Sequence, residues 1–401
     1  MEMVIMRVAK IIGLCIVLGA VPGAVSLAEQ AHPAHAPGAG VRSMDVCSDR
    51  GRLHQVYGPA DAPGGVLVHR SSSDDGRTWS DPVPVAPAGP PPHGLRRGMD
   101  AQVAARGDLV FAAWMTPGND RWGGGPIATA VSTDGGAHWR PGPNPSDDGS
   151  TAGHGFLDAA FDGNGALHLV WLDSRDGSQG LRGAVSRDGG QTWEANQTLK
   201  AASCECCANT LAAGPGADMA ALFRDRKPRD MGVVGYCGGK WGAAEKAAPL
   251  GWELEGCPHS GGGLAFSTGQ GMGGEDGVWR LHAVVWNGRP DSAGVYRVSR
   301  RWGPDQPWGK PVQMGGAGAV HPDLASSGRF LMAVWCEQLG AELRGAFSRN
   351  GGLDWSDWTP PGPPRRGVDH PRVVPGREGF CVFWTGSEAG EKIGSLRVPW
   401  E

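Results

Sequence analysis

Two short cysteine-containing segments carry the residue types best suited to metal or redox chemistry. They are Cys204-Glu-Cys-Cys207, which includes Cys206, and Cys257-Pro-His259. Thiolates and imidazoles suit Cu(I) and Zn²⁺, so these residues predict a copper or zinc site. The Cys204–Cys207 spacing equally suits a redox pair. Eight of the nine cysteines remain without Cys15, and an even number in an oxidising compartment favours disulfides. Metal binding, disulfides and redox-active thiols are three open alternatives.

Histidines and aspartates recur at one position ahead of aromatic residues. Asp100, His321 and His370 each lie fourteen residues before a tryptophan that ends an apolar segment, and Asp158 lies thirteen before one. We expect them to begin equivalent strands and to converge with the cysteines on one rim. His321 and His370 therefore join the predicted metal ligands, and Asp100 and Asp158 are the candidate catalytic acids.

Arginines follow several of the same apolar segments. Arg175, Arg224, Arg226 and Arg289 stand in these positions, with carboxylates beside them. Guanidinium groups bind carboxylates through paired hydrogen bonds. These four residues are therefore predicted to bind a small anionic ligand or a glycan.

Regular apolar segments would have to position these residues. Each ends in an aromatic residue, and successive aromatics are 57, 57, 52, 63, 49 and 49 residues apart. The aromatic residues are Tyr57, Trp114, Trp171, Phe223, Trp286, Trp335 and Trp384. Units of this size are typical of four-stranded propeller blades. The spacing predicts an all-β propeller with seven blades, and six blades is the alternative.

A repeated octet supports the same count. It reads Ser-x-Asp-x-Gly-x-x-Trp, with Asn replacing Asp in its last copy. Ser and Asp side chains can bond to turn backbone, and Gly allows a positive φ. The four copies contain Ser72, Asp74, Gly76 and Trp79; Ser132, Asp134, Gly136 and Trp139; Ser186, Asp188, Gly190 and Trp193; and Ser348, Asn350, Gly352 and Trp355. The last two copies start 162 residues apart, three times the preceding interval of 54, which indicates two lost copies.

The octets also separate the two faces of the predicted ring. Strands alternate in direction within a blade, and the octet joins the third strand to the fourth. It therefore lies on the face where first strands end. First strands begin on the opposite face, which in propellers usually carries the site.

The octets resemble the Asp box, or BNR repeat, of sialidase-like β-propellers, and the resemblance covers roughly residues 44–400. The resemblance implies the groups that sialidases use for catalysis. These are three arginines that hold the substrate carboxylate, a Tyr nucleophile assisted by a Glu, and an Asp acid/base. The early Arg-Ile-Pro or Arg-Leu-Pro signature is absent here. The tyrosines, Tyr57, Tyr236 and Tyr296, all precede the last hundred residues, where the family has its nucleophile.

Three further segments resemble a bacterial subgroup of sialidase-like proteins with a Cys-Glu-Cys-Cys motif. They are Cys204 to Cys207, Phe223 to Asp230, and Gly251 to Pro258. The resemblance implies a shared site built around these cysteines.

The N-terminal segment predicts export. Arg7 and Lys10 precede a short apolar run, and small residues near Ala28 suit cleavage. We expect a signal peptide at 1–28, a flexible arm at 29–43 and the propeller at 44–401, in a secreted or periplasmic bacterial protein without a membrane span after cleavage. The net charge of −4 does not favour nucleic acid.

The leading prediction is a secreted propeller that binds a soft metal ion or an anionic ligand at the channel mouth, without standard sialidase chemistry. One alternative is an exo-acting glycoside hydrolase with rearranged catalytic residues. The other is a protein-interaction scaffold in which the cysteine motif is a staple.

Overall fold

The computed structural model describes residues 40–59, 65–85, 89–269, 277–337, 342–365, 367–386 and 393–400. Within these ranges the chain forms β-strands and no helix. Accordingly, no described segment is a helix of the length and apolar character needed to cross a membrane. The predicted signal peptide and residues 29–39 of the predicted arm lie outside the described residues. The first strand begins at Val41, so the end of that arm belongs to the propeller.

The first half of the chain forms four antiparallel sheets, each made of consecutive strands. Blade 1 is β1 (Val41–Asp49), β2 (Arg52–Pro59), β3 (Val68–Ser72) and β4 (Val83–Pro84); blade 2 is β5 (Gln102–Arg106), β6 (Leu109–Pro117), β7 (Gly124–Ser132) and β8 (Arg140–Gly142); blade 3 is β9 (Gly155–Phe161), β10 (Leu167–Asp173), β11 (Gly180–Ser186) and β12 (Gln197–Lys200); blade 4 is β13 (Thr210–Ala213), β14 (Met219–Arg224), β15 (Met231–Cys237), β16 (Lys240–Trp241) and β17 (Glu245–Ala248).

Three further sheets complete the ring. Blade 5 is β18 (Gly262–Thr268), β19 (Trp279–Asn287), β20 (Gly294–Arg301) and β21 (Val312–Gly315); blade 6 is β22 (Val320–Ser327), β23 (Phe330–Glu337), β24 (Glu342–Ser348) and β25 (Ser356–Trp358); blade 7 is β26 (Val368–Pro375), β27 (Gly379–Gly386) and β28 (Gly394–Pro399). The prediction of seven blades is therefore confirmed, and the six-bladed alternative is wrong.

The hydrophobic core lies between neighbouring blades. All seven predicted aromatic residues lie on the second strands of the blades. Between blades 2 and 3, for example, Phe111 packs in one cluster with Leu167, Leu169 and Trp171, all fully buried. Each blade therefore buries its faces against two neighbours, and the ring must close for the last face to be covered.

The ring closes by direct packing of blade 1 against blade 7. The first strands contact one another in order around the channel, and β1 lies beside β26. Met44 and Leu53 of blade 1 share a buried cluster with Val374 and Phe383 of blade 7. Blade 7 has three strands within the described residues, and β1 is the first strand of blade 1 rather than a fourth strand for blade 7.

The octets form the expected turns. In the third copy, Ser186 Oγ accepts the Gly190 N–H at 2.7 Å and donates to Asp188 at 2.8 Å. Asp188 in turn accepts the backbone N–H of Thr192 at 2.8 Å and its hydroxyl at 2.6 Å. Gly190 has a φ of 90°, which disfavours any residue with a Cβ. The turn thus satisfies its own backbone.

The octet tryptophans join blades rather than only covering their own turn. Trp193 of blade 3 packs edge-on against Phe111 of blade 2, with ring centroids 5.8 Å apart. Trp79 of blade 1 contacts Phe383 of blade 7 in the same way, at 6.0 Å. Such aromatic pairs add to the apolar area that they bury. The octet is therefore a structural element that joins its own blade to the preceding one, as blades 1 and 3 show.

Replacing Ser186 by alanine tests this function of the octet. The substitution removes the acceptor of the buried Gly190 N–H, and an unsatisfied buried donor costs about 1–3 kcal/mol. We expect the free energy of unfolding, measured in urea, to fall by this amount. Ser178→Ala is the control, because Ser178 is a half-exposed serine of the same blade that bonds only to the Ala201 carbonyl. Equal effects of the two substitutions would contradict the role assigned to the octet.

Candidate functional site

A cavity opens at the channel mouth where the first strands begin. It lies opposite the octets, because Leu167 at the start of β10 pairs with both Phe161 at the end of β9 and Ser186 at the end of β11. All seven blades contribute to its lining, which comprises Asp45, Arg97, Gly98, Met99, Asp100, Gln102, Phe156, Leu157, Ala208, Asn209, Thr210, His259, Gly261, Gly262, His321, Pro322, Asp323, His370, Pro371 and Arg372. The predicted rim residues Asp100, His259, His321 and His370 are brought together here.

Three histidines occupy this rim with an unusual backbone. His259, His321 and His370 have φ values of 50°, 52° and 42°, and they belong to blades 5, 6 and 7. Phe156 takes the same left-handed conformation at the start of blade 3. This conformation is uncommon for residues other than glycine, and it concentrates at functional sites. The backbone of the rim therefore turns these side chains toward the channel mouth at some energetic cost.

The predicted cysteine cluster forms beside this rim. Cys204 Sγ lies 3.4 Å from Cys207 Sγ and 3.7 Å from Cys206 Sγ. A second group joins Cys206 to Cys257 and His259, with all three ligand atoms within 4.8 Å of one another. These separations exceed the roughly 2.05 Å of a disulfide. All eight cysteines in the described part of the chain are free thiols, so the predicted disulfides are not present there.

The surroundings of the cluster lower the thiol pKa at two of its four cysteines and raise it at the other two. Contact with Cys204 raises the pKa of the Cys206 thiol, and burial raises the pKa of the Cys207 thiol. Close contact with Cys206 and Cys207 lowers the pKa of the Cys204 thiol, and the Arg224 guanidinium contributes in the same direction. Contact with Cys206 lowers the pKa of Cys257 to about 7. Cys204, Cys206 and Cys207 are all buried, whereas Cys257 is half-buried and nearer to solvent. Thiolate is the form that binds metals and acts as a nucleophile.

The candidate acids have structural hydrogen bonds. Asp158 accepts the backbone N–H of Leu211, which belongs to the first strand of the next blade. Asp45 and Asp323 hold the next blade in the same way, through Val103 and Val373, each at 2.9 Å. Asp100 accepts the N–H of Met44 at 3.0 Å and a bond from Arg97 Nη1 at 2.6 Å. These carboxylates link neighbouring first strands.

Arg372 neutralises this ring of carboxylates. It occupies the position in blade 7 that Asp323 occupies in blade 6, and its Nη2 donates to Asp45 at 2.9 Å. Its Nε lies 3.8 Å from Asp323. Burial raises the pKa of Asp158 to about 7, although the positive charge of Arg372 opposes this effect. The cavity lining therefore carries three carboxylates, Asp45, Asp100 and Asp323, against the two guanidinium groups of Arg97 and Arg372.

Two of the four predicted anion-binding arginines are already committed to buried contacts. Arg175 bonds to Asp173 at 2.9 Å and also to Asp147, Ser146 and Asn196. Arg224 is 2 % exposed and donates to the carbonyls of Ser260, Arg229 and Trp286.

The other two predicted anion-binding arginines lie at the surface and pair with neighbouring carboxylates. Arg226 Nε lies 3.3 Å from Glu205 Oε1, and Arg289 Nε lies 2.8 Å from Asp291 Oδ1. Arg224 has a separate consequence for the site, because its bonds to Ser260 fix the segment that carries Cys257 and His259.

The tyrosines lie away from the cavity. Tyr57 lies near Arg70, whose guanidinium carbon is 5.3 Å from its ring centroid, and Tyr236 packs against His168 at 4.7 Å. The Tyr296 hydroxyl donates to the Ser292 carbonyl at 2.8 Å. None of the three lines the cavity.

Sequence reasoning missed Arg372, Asp45, Asp323 and Asp369. A signal was present: His321-Pro-Asp323 and His370-Pro-Arg372 repeat one pattern at the same point of consecutive blades. Reading the third residue of each pattern would have identified the charged ring. Asp369 carried no such signal, because its contact with His321 exists only when blades 6 and 7 meet.

The comparisons with known proteins agree with this fold. A family model described as BNR/Asp-box repeat matches residues 184–195, which span the third octet. The K499G mutant of NanB sialidase from Streptococcus pneumoniae aligns with a TM-score of 0.50 at 10% identity, over 80% of this chain and 68% of that one. A leech intramolecular trans-sialidase gives the same four values.

A protein from Dyadobacter fermentans DSM 18053, whose function is unknown, aligns with a TM-score of 0.49 at 16% identity, over 77% of this chain and 94% of that one. No curated protein matches the chain. At 10% identity the two sialidase structures bear on the fold alone, and both cysteine segments lie outside the matched octet. The recognition of the octets as Asp boxes in a sialidase-like propeller is confirmed.

Asp158→Asn tests the electrostatics of the charged ring. With a pKa of about 7 when folded and 3.8 ordinarily, Asp158 holds its proton more tightly in the folded protein. It therefore lowers stability as pH rises from about 4 to about 7, by up to about 1.4 kcal/mol per pH unit. Asparagine keeps an acceptor for Leu211 and removes this titration. We expect urea unfolding to show the variant gaining stability relative to wild type across that range. Asp108→Asn, at a carboxylate that is 77% exposed, should show no such trend; an equal trend in both variants would contradict the assignment.

Proposed function

We propose that this sialidase-like β-propeller, with its Asp-box repeats, binds a thiophilic metal ion, copper(I) or zinc, at the channel mouth. Cys206, Cys257 and His259 would supply a two-thiolate, one-imidazole ligand set. Cys204 and Cys207 adjoin Cys206 and offer further sulfur ligands. Thiolate-rich sets of this kind suit Cu(I) and Zn²⁺ above harder cations.

The sulfur separations carry the proposal. Two thiolates bound tetrahedrally to one zinc ion at 2.3 Å lie about 3.7 Å apart. The Sγ atoms of Cys204 and Cys206 are 3.7 Å apart, and those of Cys204 and Cys207 are 3.4 Å apart. Small side-chain rotations would therefore bring these sulfurs into one coordination sphere.

The fold supports this site from three directions. The Cys204 N–H donates to the Arg224 carbonyl at 2.9 Å, which ties the first cysteine segment to the end of β14. The Arg224 guanidinium holds the Ser260 carbonyl, which follows the second segment. Arg229 Nη1 lies 3.3 Å from Glu205 within the first segment. Ligands held by packing and hydrogen bonds bind metal with less loss of conformational entropy.

The charge at the mouth disfavours an anionic ligand. Asp45, Asp100 and Asp323 line the cavity, against Arg97 and Arg372. Both guanidinium groups are engaged: Arg97 with Asp100 at 2.6 Å, and Arg372 with Asp45 at 2.9 Å. An incoming carboxylate would therefore meet more carboxylates than free guanidinium groups. A cation is the better fit.

Sialoside hydrolysis is the competing function, and the site gives it less support. The tyrosines do not line the cavity, and the candidate acid Asp158 holds the backbone of blade 4. Measurable turnover of a fluorogenic sialoside, lost on replacement of Asp100 or Asp158, would favour hydrolysis over this proposal.

Metal analysis of the reduced protein tests the proposal. We expect about one equivalent of copper(I) or zinc after loading and dialysis, and loss of most of that metal in Cys206→Ser, because Cys206 belongs to both cysteine groups. Cys237→Ser is the matched control. It removes an exposed thiol from the same blade, at the end of β15.

Two results would decide against metal binding. One is a wild-type protein that retains no copper or zinc above the level of Cys206→Ser. The other is a thiol titration in which oxidised protein from the periplasm shows the four site cysteines paired as disulfides and metal-free. Circular dichroism of Cys206→Ser should match wild type, so that metal loss is not caused by unfolding.

A further inference from the structure

We infer that His321, Asp369 and His370 form a second cation site at the same mouth, one that binds a divalent first-row transition ion through two imidazoles and a carboxylate. The three ligand atoms lie within 4.8 Å of one another. They come from blades 6 and 7, whereas the thiols come from blades 4 and 5. This site is independent of the proposed thiolate site.

The geometry of the three side chains is convergent. Asp369 Oδ1 lies 2.6 Å from His370 Nδ1 and 3.4 Å from His321 Nδ1. The two imidazole rings stack with centroids 3.6 Å apart and an angle of 16° between their planes. One carboxylate oxygen therefore faces the same nitrogen of both rings.

The backbone holds the two histidines in equivalent positions. Each has a left-handed φ, 52° for His321 and 42° for His370, and each is followed by proline. Proline restricts the residue that precedes it, so both conformations are kept only by the surrounding structure. Arg97 Nη2 contributes by donating to the His370 carbonyl at 2.6 Å. Two strained histidines at one point of consecutive blades are hard to explain by packing alone.

Gly98 fits this arrangement. Its φ is 84°, and a Cβ at this position would lie 2.8 Å from His370 Nε2. The backbone of blade 2 therefore approaches the His370 ring closely at this glycine. The absence of a side chain at Gly98 leaves room for the stacked imidazoles.

The donor set determines the class of ion. Two imidazoles and one carboxylate suit Zn²⁺, Fe²⁺, Co²⁺ and Cu²⁺, and leave open positions for water or another ligand. Thiolates are absent from this group, so Cu(I) is not favoured. The Asp369 side chain is 36% exposed, and both histidines line the cavity, so an ion can reach the ligands from solvent.

Co²⁺ titration separates the two sites, because thiolate ligands give Co²⁺ an intense ultraviolet charge-transfer band that nitrogen and oxygen ligands do not. In a Cys206→Ser/Cys257→Ser protein under reducing conditions, we expect about one equivalent of Co²⁺ to bind without that band. Asp369→Asn, which keeps the size and an acceptor of the side chain, should weaken this binding at least about tenfold. His321→Gln should have the same effect.

His138→Gln is the matched control, because His138 forms the same kind of contact, 2.6 Å from Asp134, on the opposite face. Binding of Co²⁺ that survives Asp369→Asn and His321→Gln would overturn the inference, as would no binding in the double cysteine variant with unchanged circular dichroism. If wild type lacks the thiolate band yet binds Co²⁺ in a way that Asp369→Asn abolishes, the thiolate proposal fails and this one stands.

Discussion

The pairing of Arg372 with buried carboxylates is the interaction on which the centre of the propeller depends. Asp45, Asp158 and Asp323 each hold the first strand of the next blade through a backbone N–H. Burial penalises their charge, and Arg372 is the cation that offsets it, with Asp45 and Asp323 both within 4 Å. Removing one partner from such a set leaves buried charge uncompensated, which is far more costly than losing a surface ion pair.

The same arrangement connects ring closure to the candidate site. Arg372 belongs to the last blade and Asp45 to the first, so their 2.9 Å contact exists only in the closed ring. Arg97 of blade 2 adds a bond to the His370 carbonyl across the same seam. Closure of the ring thereby fixes the beginnings of the first strands. His321 and His370 lie at these beginnings, and the cysteine cluster lies beside them. A rigid rim is what two closely spaced cation sites would require.

The octet is the most repeated motif in the chain, and its role is structural on the face that it occupies. The octets bind their own turn backbone, and their tryptophans fasten neighbouring blades, as Trp193 does to Phe111. On the opposite face the described residues share only a shorter pattern, His-Pro followed by a charged residue, in blades 6 and 7. The face otherwise differs from blade to blade, with Phe156, His259, His321 and His370 at related positions. The stabilising octet turns are therefore repeated in blades 1, 2, 3 and 6, whereas the proposed metal ligands are confined to blades 4 to 7.

The sequence by itself predicted the strands, favoured seven blades over six and assigned the face, because alternation, turn residues and aromatic spacing act within one blade of some fifty residues. It also placed His321, His370 and the cysteines on one rim. Only the tertiary structure decided which of these residues meet. Arg175 and Arg224 proved committed to internal partners, and Asp369 joined His321 from another blade. The Arg224–Ser260 and His321–Asp369 contacts join neighbouring blades across 36 and 48 positions of sequence, so no local pattern predicts them. Arg175 bonds to Asp173 within its own blade, and only its burial, with 15% of the side chain exposed, shows that it is committed there.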